Sequence, residues 1–302
     1  MSTVTSKSYL QQALTFTCEG QTLQAVLTLP PTEVTAQALG VLIVVGGPQY
    51  RAGSHRQFTL LSRELARQGF PVLRFDHRGM GDSSGELHDF KQITADIGAA
   101  LDAFQAACPG AQRLVIWGLC DAASAALMYW QRRRDTRLAG LCVLNPWVRS
   151  EASLAKATVK HYYLDRLKQP EFWKKLLSGR VAGAALRDLL GNLRRARAAG
   201  AAKAATSLSF QEEMATAWRQ LNSPLLLILS GRDLTAKEFL EHAQADAGWQ
   251  GLLQATYVTR ADLTEADHTF SNAAARDQVA QLTADWLRQV SSKTPLDARA
   301  HP

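Results

Sequence analysis

Cys120 lies in the run Gly118-Leu119-Cys120-Asp121-Ala122. A short apolar, β-branched segment before it (Leu114, Val115, Ile116) reads as a buried strand, and the Ala-rich segment from Ala122 reads as a helix. A chain that turns from strand into helix over so few residues needs small neighbours two positions either side of the tip, and Gly118 and Ala122 supply them. A cysteine at such a tip stands up from the sheet at a helix N-terminus, where unpaired N–H groups and the helix dipole favour an anionic sulfur. The chemistry open to it is nucleophilic attack. A free cysteine is as often a small buried hydrophobe, so the assignment depends on finding a base and an orienting acid elsewhere.

Four histidines follow the elbow: His161, His242, His268 and His301. His161 falls in a segment rich in Ala, Leu, Arg and Lys, His242 in a helical Glu-rich stretch and His301 in the terminal tail. His268 alone sits in a loop directly after the final strand-like segment, which makes it the candidate general acid/base. Asp233 occupies the loop after the preceding strand and is the candidate orienter of that imidazole. Asp267 adjoins His268, but consecutive side chains diverge, and Asp262 is the weaker rival. A tetrahedral intermediate also needs donors for its oxyanion. The backbone N–H of Asp121 is one, and the loop after the first parallel strand must provide the other. In Gly46-Gly47-Pro48-Gln49, Pro48 has no N–H, so Gly47 is the first candidate and Gln49 the second.

The elements that must hold these groups alternate along the chain. Residues 9–29 read as a hairpin turning at Glu19-Gly20, and Leu39 to Val45 as a strand buried on both faces. Helical spacing follows over 57–68, a strand over 70–75, a helix over 90–107, and strands over 138–144 and 224–230. A last strand is predicted near 255–258 and a closing amphipathic helix over 273–290. Strands alternating with helices predict an α/β fold with a mostly parallel central sheet flanked by helices, with ligands at the carboxyl ends of its strands.

The 302 residues suffice for one large α/β domain with an insert, and 46% hydrophobic residues is ordinary for a soluble chain. The sequence divides into a core of residues 1–146 and 223–290, a basic helical cap of residues 147–222 and a polar C-terminal tail of residues 291–302. The net charge of +7 is concentrated in the cap, with 14 Lys/Arg against 6 Asp/Glu. No apolar run near the N-terminus resembles a signal peptide, and none reaches the ~18 residues a transmembrane segment needs, which predicts a cytoplasmic protein. The four cysteines have neither paired metal-ligand spacing nor a C-x-x-C, so a reducing compartment, no metal and no cofactor are expected.

With these residues assembled, the chain resembles the α/β-hydrolase superfamily over about residues 10–146 and 223–290. The order nucleophile, acid, base is the one recorded there. Asp76-His77-Arg78-Gly79-Met80-Gly81-Asp82-Ser83 is similar to its D-x-R-G-x-G-x-S segment, and Gly231-Arg232-Asp233 and Asp267-His268-Thr269-Phe270 to its acid and histidine loops. More narrowly, Gly46-Gly47-Pro48-Gln49-Tyr50-Arg51, Gly53-Ser54-His55-Arg56, the cysteine elbow and Asn145-Pro146-Trp147 resemble the first of the hydrolases associated with the exosortase A system. The resemblance implies a setting among bacterial exopolysaccharide and protein-sorting loci, and marks Gln49, Tyr50, Arg51, Asn145 and Trp147 as candidate substrate contacts. Val45 stands where the superfamily often has a His before the oxyanion glycine, and Cys stands for Ser.

Attack by a thiolate on a thioester exchanges one thioester for another at little cost, whereas the same acyl-enzyme lies uphill from an oxygen ester. The elbow therefore predicts a hydrolase of acyl thioesters or activated esters, with a small-molecule or carrier-linked acyl substrate. Lys174, Lys175, Arg180, Arg187, Arg194, Arg195 and Arg197 of the cap are candidate receivers for an acidic carrier protein, a pantetheine phosphate or an anionic membrane face in peripheral contact. The absence of any recognition motif argues against nucleic acid as a partner. An acyltransferase using the same site, and a catalytically idle binding module of hydrolase fold, are the alternative readings.

Overall fold

The computed structural model describes residues 9–47, 49–149 and 208–292. Strand β1 (Leu10–Cys18) and strand β2 (Gln21–Leu29) form an antiparallel hairpin in continuous register from Leu10↔Leu29 to Cys18↔Gln21. Its two turn residues, Glu19 (φ 46°) and Gly20 (φ 78°), both have the positive φ that matches a tight turn to the strands' right-handed twist. β2 pairs antiparallel with β4 (Val72–Phe75), and from β4 onward every pairing is parallel. The order of the eight strands is β1-β2-β4-β3-β5-β6-β7-β8. Here β3 is Leu39–Val44, β5 Arg113–Leu119, β6 Leu138–Leu144, β7 Leu225–Ser230 and β8 Val258–Leu263.

The central strands are continuous apolar runs because helices cover both faces. On one face Leu42, Leu73, Phe75, Ile116 and Leu227 pack with residues of α2 (Thr94–Ala107), α3 (Asp121–Arg133), α4 (Phe210–Gln220) and α5 (Leu234–Ala245). On the other, Val41, Val72, Val115 and Ile228 pack with α1 (Gln57–Arg67) and α6 (Ala273–Ser292). β8 lies four residues downstream of its predicted place. It is the edge strand, half exposed, and its Val-Thr-Arg-Ala-Asp-Leu composition carries little of the apolar signal that marks a buried strand.

The insert boundary predicted at residue 222 also differs from the structure. α4 buries Met214, Ala215, Ala217 and Trp218 in the core, and the Arg132 guanidinium of α3 makes two hydrogen bonds to Glu213. The basic residues from Lys174 to Arg197, the rest of the predicted cap between 150 and 207, and the tail from residue 293 lie outside the described residues.

The Asp76–Ser83 segment is pinned from below. Arg78 donates through its backbone N–H, Nε and Nη2 to the buried Asp96 carboxylate of α2, each at 2.9 Å. Asp76, also buried, accepts the backbone N–H of Arg51 (2.5 Å) and of Asp82 (3.1 Å). These bonds satisfy two charges that the core could not otherwise hold.

Candidate active site

β5 ends in Gly118 and Leu119, and α3 begins at Asp121, so one residue makes the whole reversal. Cys120 has φ 64° and ψ −125°, a conformation that costs an L-residue about 1–3 kcal/mol and persists only where its surroundings over-determine it. Those surroundings are visible. A Cβ on Gly118 would fall 2.6 Å from the carbonyl oxygen of Ala122, so only glycine lets strand and helix cross here. Cys120 is further clamped by its own N–H to the Leu144 carbonyl (2.9 Å) and by its carbonyl, which accepts the Trp147 N–H (3.2 Å).

The other two candidates arrive from adjacent strands at the same end of the sheet. Asp233 follows β7 and is the N-cap of α5, its carboxylate accepting the N–H groups of Thr235 and Ala236, each at 3.1 Å. The same carboxylate lies 2.9 Å from Nδ1 of His268, in the loop between β8 and α6. Burial works to raise the Asp233 carboxyl, but the bond to His268, the imidazolium charge and the two capping amides hold it below its ordinary value. Cys120 is the second group acting on the His268 imidazole. The bond to Asp233 first, and then Cys120, push the imidazole up to about 10 against the effect of burial. Asp233 and His268 are thus in direct contact, and Cys120 is the other group that acts on the ring. The rivals are engaged elsewhere: Asp267 with Ser271, and Asp262 with Arg260.

The proposed oxyanion donors meet an unexpected occupant. The Gly47 N–H points at Oδ2 of Asp121 (2.9 Å), and Oδ1 of the same carboxylate accepts the Ala122 N–H (3.0 Å). Gln49 turns its side chain back to hold Ser54, whose N–H it accepts at 3.0 Å. Arg51 is paired with Asp76 and Asp82, and Tyr50 next to it is half exposed. Trp147 lies beside the elbow through its backbone, its carbonyl accepting the Ser124 hydroxyl at 2.7 Å.

Asn145 corrects the sequence reading. It is fully buried, its Oδ1 accepts the Ser230 N–H (2.9 Å), and its Nδ2 donates to Ser230 Oγ (2.9 Å) and to the His268 carbonyl (3.3 Å). Both ends of the amide are used, so it ties β6 and β7 to the histidine loop and has nothing left for a substrate. Its φ is 43°, a region that Asn tolerates better than most non-glycine residues, so the residue type directly after the strand was the available signal. Among the described residues, no group of three or more His, Cys, Asp or Glu side chains is arranged to hold a metal ion. No described helix is long and apolar enough to cross a membrane.

The sheet order, the strained elbow and the acid and histidine loops define an α/β-hydrolase. Residues 37–247 match the family described as serine aminopeptidase, S33, and the chain belongs to that hydrolase family. Its name specifies serine; the residue at the tip of this elbow is Cys120. No curated protein matches the sequence. Among solved structures, the chain is similar to the Pyrococcus furiosus esterase Pf2001, with a TM-score of 0.61 at 15% identity over 96% of each chain. XC6422 from Xanthomonas campestris, described as an a/b serine hydrolase without lid, aligns with a TM-score of 0.57 at 15% identity over 94% of this chain and 97% of that one. A thermophilic esterase from Thermogutta terrifontis aligns with a TM-score of 0.56 at 20% identity over 93% of this chain and all of the other. At these identities the likeness is one of fold.

Proposed function

We propose that this hydrolase cleaves acyl thioesters or comparably activated esters through an acyl-cysteine at Cys120. The observation that carries the reading is the coupled chain Cys120–His268–Asp233, in which the imidazole is held protonated well above its ordinary range beside a sulfur. A thiol beside an imidazole that its acid partner orients has the base for its activation in place.

The sulfur lone pair attacks the acyl carbon, the carbonyl π pair moves onto oxygen, and the elbow amide, with the Gly47 N–H once it leaves the Asp121 carboxylate, stabilises the developing charge. Collapse expels the thiolate leaving group, which takes the proton from His268. Loss of the thiolate removes part of what raised the imidazole, so His268 now accepts a proton from water and directs hydroxide at the acyl-enzyme. Asp233 holds the ring in place through both half-reactions, its own orientation set by two helix amides.

The test is kcat/KM on a matched pair, S-phenyl thioacetate and phenyl acetate, with mass spectrometry of the quenched enzyme. A higher value on the thioester with an acetyl adduct on Cys120 is expected. Preference for the oxygen ester, or no adduct, overturns the reading.

A further inference from the structure

One partly buried ionisable group at this centre has no part in the scheme above: the Asp121 side chain. Its carboxylate accepts the Gly47 N–H at 2.9 Å and the Ala122 N–H at 3.0 Å. The Gly47 amide assigned to the oxyanion therefore faces an anion that the protein itself supplies. The backbone is shaped around that anion: a Cβ on Gly46 would lie 2.0 Å from Oδ1 of Asp121. A second negative oxygen cannot share the place with a carboxylate, because like charges at hydrogen-bond distance inside a protein repel by several kcal/mol. The neutral carboxylic acid has no such conflict and offers an O–H donor, as an acid kept protonated by its surroundings does in other oxyanion sites.

We propose that Asp121 is a further catalytic residue, which as the neutral acid donates its hydroxyl to the substrate's carbonyl oxygen and as the carboxylate closes the oxyanion hole. In attack, the thiolate forms the C–S bond and the π pair moves to oxygen. That oxygen accepts the Asp121 O–H and the released Gly47 N–H, and the Asp121 proton stays on Asp121. On collapse the C=O bond re-forms, the leaving thiolate departs with the His268 proton, and the carboxyl returns to Gly47.

The surroundings favour the neutral form. Burial raises this carboxyl above its ordinary value of 3.8, against the opposing pull of its backbone amides. The titratable group facing it is His77 from the turn after β4, which burial keeps toward its neutral form, with Asp76 and Asp96 beyond. Cys120, the preceding residue, acts on His268.

The inference rests on acyl transfer at Cys120, and the experiment separates the two. Alkylation of Cys120 by iodoacetamide needs the thiolate but no oxyanion hole, so it serves as the internal reference. For the wild type, kcat/KM on S-phenyl thioacetate divided by the alkylation rate should fall with rising pH, with a midpoint above the ordinary carboxyl value. In D121N, whose amide donates without a titrating proton, the ratio should be flat and exceed the wild type at alkaline pH by about a hundredfold, the size of one oxyanion donor. D121A, uncharged but without a donor, should be flat and lower, and substitutes if D121N does not fold. Ratios that vary with pH identically in wild type and variants overturn the proposal. If the wild type does not turn over the thioester, the functional reading fails. The role of Asp121 is then decided by acetaldehyde, which forms a thiohemiacetal and protects Cys120 from alkylation: pH-dependent protection in the wild type only supports it, and equal protection refutes it.

Discussion

The two ends of the parallel sheet differ in a way that volume alone would misread. At the amino ends of β5 to β8 lies a groove of about 890 Å³, lined in part by Trp130, Arg134, Asp135, Tyr257 and Trp286. Its polar groups serve packing. Arg134 stacks on Trp130 at 4.0 Å, the Tyr257 hydroxyl donates to the Trp218 carbonyl at 2.6 Å, and Asp135 is held by Tyr129 and Arg137. The carboxyl ends hold the strained Cys120 backbone, a histidine titrating far from its usual range and a carboxylate facing amides. The difference follows from the fold: at the carboxyl ends helices begin, and their unpaired N–H groups attract and position anions, whereas at the amino ends helices finish. Strain and coupled charge, more than open space, mark the reactive end.

Several substitutions would sharpen or break this contrast. The largest effect expected is from C120A, which removes the covalent route and should lower kcat/KM on a thioester by roughly 10⁴- to 10⁶-fold. H268Q should cost about 10²- to 10⁴-fold, the range of a positioned acid–base group, and abolish rapid alkylation of Cys120. In the wild type, iodoacetamide below about pH 8 should label Cys120 well ahead of Cys18, Cys108 and Cys142, whose thiols burial pushes up; equal labelling would erase the distinction between the two ends.

Stability offers a smaller signal with a definite sign. The folded His268 titrates above its ordinary 6.5, at about 10, so its pairing stabilises the protein fully below the first value and is lost as pH climbs through the second. Thermal melting of the wild type should therefore fall across that window, and that of H268Q should change less. G118A should destabilise by about 1–3 kcal/mol through its clash with the Ala122 carbonyl. The smallest effect is at the other end: Y257F should leave kcat/KM within about twofold, since a substitution away from the reacting atoms removes no transition-state contact.

Much of this was legible in local pattern. The boundaries of β6 coincide with the predicted run Leu138 to Leu144, because a strand buried on both faces is uniformly apolar and ends abruptly at Asn145-Pro146. β8 was misplaced because an edge strand faces water and loses that contrast. Resemblance marks Asn145 as a substrate contact, and its burial emerges only when β6, β7 and the histidine loop are brought together.

What the sequence determined by itself is the succession of strands and helices and the residue types at each turn, since hydrophobic period, glycine placement and strand-to-helix spacing act over a few neighbouring residues. The folded chain decided which of those residues share a hydrogen bond. Asp233 meets His268 across 35 positions, and Asp121 turns its carboxylate to Gly47 across 74. Distance along the chain carries no information about such meetings, because the parallel sheet, by aligning the ends of strands far apart in order, is what sets them side by side.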